Sequence, residues 1–90
     1  MLRIKYHTAF KKDYKRLQKR GLNTDKLVDV ISVLAREEAL PPKYRDHALG
    51  GEYAGCRECH IEPDWLLIYE IRHSELILYL TRTGSHSDLF

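Results

Sequence analysis

The chain begins with an alternation of apolar and polar residues. Leu2, Ile4 and Tyr6 are separated by two cations, and a period of two is typical of a strand with one buried and one solvent-exposed face. The sequence therefore predicts a short first strand within residues 1–6.

From Thr8 the apolar spacing changes to four and three residues, which is the period of an amphipathic helix. This helix is predicted to stop at Gly21, because glycine commonly follows a helix end. Asn23 or Thr24 can cap a second helix that ends near Glu37, and the short link makes an antiparallel helix hairpin. The stripes that pack this hairpin against the rest of the fold are Phe10, Tyr14 and Leu17, then Leu27, Val30, Ile31 and Leu34.

Strands dominate the second half of the pattern. A loop of about a dozen residues between Glu38 and Gly51 precedes them, and its length suggests a functional role. The later apolar runs predict an antiparallel meander with tight turns between its long strands. The predicted strands are Glu52–Cys56, Arg57–Glu62, Trp65–Arg72 and Glu75–Arg82. The fold class is therefore α+β: an N-terminal strand, an antiparallel two-helix hairpin and an antiparallel β-meander, with the helices on one sheet face.

Length and composition fit one small domain. Ninety residues, 43% apolar and 31% charged, can bury a modest core and are too apolar for intrinsic disorder, so we expect a single domain over 1–90. No run approaches the roughly 18 apolar residues of a membrane span, and Arg3 and Lys5 lie where an export signal would be apolar. We expect a cytoplasmic protein with no membrane partner, in which Cys56 and Cys59 are thiols.

Positive charge is concentrated at the start of the chain. The first 20 residues hold eight Lys or Arg and one acid, Asp13, a net charge of +7, whereas the remainder has seven Lys or Arg and 12 acids, a net charge of −5. Such a face suits a phosphate-rich or acidic partner, and a solvated helix face is the alternative. Its cations on the first helix are Lys11, Lys12, Lys15, Arg16, Lys19 and Arg20.

Four of the five histidines lie in the second half of the chain, at positions 47, 60, 73 and 86. The unperturbed pKa of histidine, about 6.5, lets it give and take a proton near neutral pH. His73, in a predicted turn, and His7, at a helix start, are expected to be structural or solvated.

Ionisable side chains converge around His60. A period of two in its predicted strand places Glu58, His60 and Glu62 on the face opposite Cys59. The side chains that can reach the same region from a turn, a strand end and flanking loops are Asp64, Arg82, His47 and His86. Each of them alone can be structural or solvated, so only the set indicates a site.

A surface that joins His, Asp and Arg without a nucleophilic Ser or Cys suits internal transesterification of RNA, whose own 2′-hydroxyl attacks. A base takes the hydroxyl proton, an acid protonates the departing 5′-oxygen, and a cation stabilises the phosphorane. No metal or other cofactor is required. Phe90 either packs against the core or stacks on a base, a contact worth roughly 1–3 kcal/mol.

Two other kinds of site share this stretch. Cys56-Arg57-Glu58-Cys59-His60 matches the C-x-x-C-H pattern of haem attachment, but it lies in a predicted strand and the chain has no axial methionine beyond Met1. Zinc held by both cysteines, His60 and His47 requires the chain to turn, because strand positions three apart face opposite ways.

Three blocks resemble the YafQ-type toxins of the RelE/ParE superfamily of bacterial type II toxin-antitoxin systems. The blocks are Leu40–Gly51 (LPPKYRDHALGG), Arg57–Tyr69 (RECHIEPDWLLIY) and Arg82–Phe90 (RTGSHSDLF). The resemblance implies a RelE-like, microbial RNase-like fold and a ribosome-dependent endoribonuclease, an mRNA interferase that cuts A-site codons without a metal. Carried over by position, its active-site residues are His47, His60, Asp64, Arg82, His86 and Phe90.

The resemblance also implies partners and roles. An antitoxin of the DinJ or RelB type would bind the toxin through its C-terminal segment and operator DNA through its N-terminal part, and the basic first helix would contact the ribosome, its RNA or that antitoxin. We expect His86 as general acid, His60 or Asp64 as base, His47 and Arg82 on the phosphate, and Phe90 on a base. The alternatives are a ParE-like toxin that binds DNA gyrase and an inactive interaction module.

Overall fold

The computed structural model describes residues 1–90 and contains a five-stranded sheet with two long helices. Its strands are β1 (Arg3–Tyr6), β2 (His47–Ala48), β3 (Arg57–Glu62), β4 (Trp65–Arg72) and β5 (Ile77–Gly84). Its helices are α1 (Thr8–Lys19), α2 (Thr24–Ala35) and the short C-terminal α3 (His86–Leu89), with 3₁₀ turns at Pro42–Tyr44 and Gly51–Tyr53. The sheet order is β1-β5-β4-β3-β2, and only β1 runs parallel to its neighbour. The predicted α+β class is confirmed.

The helix hairpin forms where the apolar spacing predicts it. Gly21 follows α1 with φ at +77°, a left-handed conformation that glycine adopts without a Cβ clash. The Asn23 side chain accepts a hydrogen bond from the Asp25 backbone N–H at 3.1 Å and so caps α2. Neither helix is long and apolar enough to cross a bilayer.

Both faces of the sheet are covered. On one face α1 and α2 bury Phe10, Leu17 and Leu27 against β3, β4 and β5. On the other face Leu89 of α3 packs with two residues of β4. Trp65 is buried, and its indole N–H donates to the Thr83 hydroxyl at 3.0 Å. The helix hairpin thus covers one face, as expected, while α3 and the loop before β3 cover the other.

The predicted strand Glu52–Cys56 is wrong. Its first residues continue a 3₁₀ turn, and Gly51 and Gly55 have φ values of +60° and +92°, which are turn conformations and not strand conformations. The edge strand beside β3 is instead His47–Ala48, inside the segment predicted to be a loop. The last strand is also displaced, because Leu76 is left-handed (φ +55°) and delays the start of β5.

The predicted strand near the N-terminus is present, but its burial differs from the alternation. Leu2 is buried, whereas Ile4 and Tyr6 stay exposed. β1 is an edge strand with only β5 beside it, so its apolar side chains are not enclosed from both sides.

Candidate active site

The edge strand β2 and its neighbour β3 bring His47 and His60 to one buried carboxylate. β2 pairs antiparallel with β3 so that His47 lies opposite Glu58, and His60 is two residues further along the same face. The Nε2 atoms of His47 and His60 lie 3.4 and 3.6 Å from the same Glu58 oxygen. The two ring centroids are 6.3 Å apart. The structure therefore joins two of the predicted histidines around an acid that the prediction did not include.

Glu58 is the residue that connects this group. Its side chain is only 7% exposed, and a buried carboxylate is costly unless cations or hydrogen-bond donors surround it. The imidazoles of His47 and His60 are the polar groups that face the Glu58 carboxylate. The alternation along β3 already placed Glu58 on the His60 face, so the signal was present in the sequence, although it did not reveal the burial.

The ring of His47 is fixed at both nitrogens. Nδ1 lies 2.7 Å from the backbone carbonyl oxygen of Arg45, and because a carbonyl only accepts, Nδ1 carries the proton of this hydrogen bond. Nε2 faces the Glu58 carboxylate. These two contacts hold the ring in one orientation, with Nε2 towards the carboxylate.

His86 and Asp64 form a second pair beside His60. His86 Nδ1 lies 2.6 Å from Asp64 Oδ1, and the backbone N–H of His86 donates to the same oxygen at 2.9 Å. The backbone bond first, and then the ring, lowers the pKa of the Asp64 carboxyl below its usual range. The ring centroids of His60 and His86 are 5.8 Å apart. The His86 side chain is 54% exposed, so the ring can be reached from solvent.

Arg82 lies in an ion pair with the buried acid Asp13 of α1. The Nε and Nη2 atoms of Arg82 donate to the two Asp13 oxygens at 2.6 and 3.0 Å, and this raises the pKa of the guanidinium. β1 pairs with β5 only as far as Leu80, so the β5 backbone beyond Leu80 has β4 on one side and no partner strand on the other. The Thr83 N–H there donates to Asp13 at 3.2 Å. Asp13 thus stabilises an open strand edge and orients Arg82.

A second ion pair ties α3 to the end of α1. Two nitrogens of Arg20 donate to Asp88 at 2.7 and 3.0 Å, and this contact, with the Ser85 backbone N–H, lowers the pKa of Asp88. Arg16 also lies near both Asp13 and Asp88. Arg16 and Arg20 therefore connect the end of α1 to α3. The cations of the predicted RNA-binding set that make no ion pair are Lys11, Lys12, Lys15 and Lys19.

Phe90 is available for contacts outside the chain. Its side chain is 66% exposed, and its ring meets that of Tyr53 in a T-shaped arrangement at a centroid distance of 5.9 Å. Of the two alternatives for Phe90, the structure excludes burial in the core. His73, by contrast, is a turn residue 78% exposed, as predicted.

The two cysteines lie on opposite faces of the sheet. Cys59 belongs to the helix-side core, where burial raises the pKa of its thiol to about 12. Cys56 packs against the cluster on the other face. The alternatives of a haem attachment pair and a shared zinc site both need the thiols on one side. His47, Glu58 and His60 carry donors of the type that bind transition metals, yet no three such side chains are arranged to hold an ion.

Comparison with known proteins identifies the family. The family model described as the bacterial toxin of type II toxin-antitoxin systems, YafQ, matches residues 2–90. The chain belongs to the YafQ family. This confirms the family predicted from the three sequence blocks.

Relatives agree with this assignment along the whole chain. The mRNA interferase toxin YafQ of Escherichia coli K12 is 40% identical over 88 residues, which is 97% of this chain and 94% of the relative. A metal-bound toxin from Helicobacter pylori has 48% identity and a TM-score of 0.94, with full coverage of both chains. The E. coli DinJ-YafQ complex has 38% identity and a TM-score of 0.90 over 100% of this chain and 99% of that one. The fold is therefore that of YafQ toxins.

Proposed function

We propose that this protein is the toxin of a type II toxin-antitoxin system and an endoribonuclease that cuts translated mRNA by metal-free acid-base catalysis. The observation that carries the proposal is the row of three imidazoles, His47, His60 and His86, in which neighbouring rings lie about 6 Å apart. Each ring is adjacent to a carboxylate. The curated E. coli relative is named an mRNA interferase, which supports the same reaction class.

His86 is the general acid of the proposed reaction. Asp64 holds Nδ1 of the ring and leaves Nε2 directed away from the pair, as a carboxylate orients a catalytic imidazole in other enzymes. An ionised Asp64 stabilises the protonated ring, which can then donate to the departing 5′-oxygen. This contact makes Asp64 a positioning residue for His86 and leaves the base to another group.

His60 is the base that takes the 2′-hydroxyl proton. Glu58 lies 3.6 Å from its Nε2 atom and stabilises the imidazolium formed when the ring accepts a proton. The neighbouring His86 ring, 5.8 Å away between centroids, places acid and base within reach of the two ester oxygens of one phosphate. Such positioned pairs typically contribute about 10²–10⁴-fold each to the rate.

Charge on the phosphorane is stabilised by His47 and Arg82, which neighbouring residues hold in place. His47 is held between Arg45 and Glu58, and Arg82 keeps guanidinium N–H groups that Asp13 does not use. Preorganised donors of this kind are usually the largest single contribution to catalysis. Phe90, exposed at the end of α3, stacks on a base of the substrate.

The ribosome presents the mRNA substrate, and an antitoxin inhibits the enzyme by binding to it. The four unpaired lysines of α1, Lys11, Lys12, Lys15 and Lys19, bind ribosomal RNA through sequence-independent contacts with phosphates. A partner of the DinJ type, as in the E. coli complex, binds the toxin with its C-terminal segment. Operator DNA is contacted through that partner only.

The test is cleavage of mRNA on programmed ribosomes, scored by primer extension with EDTA present. Wild type should cut in the A site, and naked mRNA should be cut much more slowly. His86→Ala and His60→Ala should each lose about 10²–10⁴-fold. His73→Ala is the matched control and should cut like wild type, because its ring is exposed in a distant turn.

The alternatives give different results. If wild type cuts no mRNA yet still arrests growth and inhibits DNA gyrase, the ParE-like function replaces the nuclease. If it neither cuts nor arrests growth, the chain is an inactive interaction module. Cutting by His86→Ala at the wild-type rate contradicts only the role given to His86.

A further inference from the structure

A polar cleft of about 390 Å³ lies next to the proposed active site and includes His60 in its lining. His60 forms one end of it, α2 contributes Lys26 and Asp29, and the loop before β2 contributes Lys43 and Arg45. The cleft is continuous with the proposed site of cleavage, because His60 belongs to both. Its cations are not among the residues identified from the sequence.

Tyr44 and Asp46 anchor the loop that carries Lys43 and Arg45. Tyr44 packs against the helix-side core, and Asp46 accepts hydrogen bonds from the Tyr69 hydroxyl at 2.7 Å and from Arg57 at 3.2 Å. Lys43 directly precedes the first anchor and Arg45 lies between the two, and both side chains are exposed. Two anchors only two residues apart leave little freedom to the loop, so Lys43 and Arg45 are held in a fixed place.

Arg45 links the cleft to the catalytic group through its backbone. It adopts a left-handed conformation, with φ 51° and ψ 41°, which is uncommon for a residue with a side chain. In this conformation its carbonyl oxygen receives the hydrogen bond from His47 Nδ1. One residue therefore fixes a catalytic ring and directs a cation towards the cleft.

The charges of the cleft leave a positive surplus. Lys26 and Glu62 neutralise each other across one wall, at 2.7 Å. Lys43 and Arg45 make no ion pair, and Asp29 is the acid that remains. A polar, cationic cleft fits an anionic strand better than an apolar peptide segment.

We propose that this cleft is a subsite for the RNA strand next to the scissile bond, in which Lys43 and Arg45 bind backbone phosphates. The inference rests on the proposed ribonuclease function and identifies where the strand leaves the catalytic histidines. Contacts to phosphates position the strand and carry no sequence information. The cleft therefore governs substrate affinity and register, and the chemical step remains with the histidines.

The test is binding of a short fluorescein-labelled single-stranded RNA whose 2′-hydroxyls are methylated, so that it cannot be cut. Affinity is measured by fluorescence anisotropy over a range of salt concentrations for wild type and for Lys43→Gln/Arg45→Gln. Losing two phosphate contacts should flatten the slope of log K against log salt by about 1.4. The bond from His47 is retained in this variant, because it ends on a backbone oxygen.

The matched control is Arg3→Gln/Lys5→Gln, which removes the same charge from β1 at the opposite edge of the sheet. The control should keep the wild-type slope. Equal slopes for the cleft variant and wild type, with both folded by circular dichroism, would overturn the proposal. So would a cleft variant that keeps its RNA affinity but loses binding of an oligoglutamate peptide, because the cleft would then be a protein-binding surface. Neither readout requires cleavage, so a failure of the nuclease function itself is seen separately.

Discussion

We expect the replacement of Asp13 to lower the stability of the fold substantially. It is buried, and it accepts hydrogen bonds from both Arg82 and the Thr83 backbone N–H. Asp13→Ala removes all of these acceptors at once. It leaves a backbone donor without a partner at an open strand edge and a guanidinium without its counter-ion.

The expected decrease in the free energy of unfolding follows from these contacts. A buried N–H left unsatisfied costs about 1–3 kcal/mol, and breaking a fully buried ion pair costs about 3–5 kcal/mol. The Arg82 side chain is 25% exposed, so water replaces part of its lost partner. We expect Asp13→Ala to lower the free energy of unfolding by about 2–4 kcal/mol. Asp13→Asn keeps an oxygen that can accept from the Thr83 N–H, so it should lower the free energy of unfolding by about half as much.

Urea unfolding followed by circular dichroism measures this loss, and each kcal/mol corresponds to about 4–8 °C in Tm for a domain of this size. Asp25→Ala is the control, since Asp25 is exposed and forms no ion pair. A loss for Asp13→Ala within about 0.5 kcal/mol of the control would refute the structural role. The double variant with Arg82→Ala should be less destabilised than the sum of the single variants.

Three further outcomes concern single side chains. His86→Ala should raise the pKa of Asp64 only part of the way to its usual value, because the backbone N–H remains; NMR titration of the carboxyl carbon measures it. Since the folded pKa is depressed, this pair's stabilisation is present above the ordinary aspartate pKa and is lost as pH falls below it. Only Cys56 should react with iodoacetamide in the folded protein, because Cys59 is buried; mass spectrometry counts the adducts. Phe90→Ala should weaken RNA binding by about 1–3 kcal/mol without changing urea unfolding.

Local sequence signals predicted the elements that depend on local chemistry. The helix hairpin follows from apolar spacing together with the Asn23 cap and Gly21. The position of His60 opposite Cys59 follows from the period of two along β3. These features need only the geometry of one element, which the residues of that element determine.

Features that depend on distant residues could not be predicted in this way. The edge strand at His47–Ala48 forms because β3 offers it a partner, and two residues carry no strand signal of their own. Asp13 stands alone among basic residues in the sequence, and its burial follows from the place where β1 stops pairing with β5. Glu58 was on the expected face, but its role appears only when β2 brings His47 beside it.

The central claim is that the substrate's own 2′-hydroxyl attacks, assisted by His60 and His86. The most direct test is a programmed ribosome that carries an mRNA with a single 2′-deoxy nucleotide on the 5′ side of the cleaved bond. We predict that this mRNA is not cut, while the all-ribose mRNA yields a 2′,3′-cyclic or 3′-phosphate and a 5′-hydroxyl in EDTA. Cleavage of the deoxy-substituted mRNA at the normal rate, or a product with a 5′-phosphate, would contradict the mechanism.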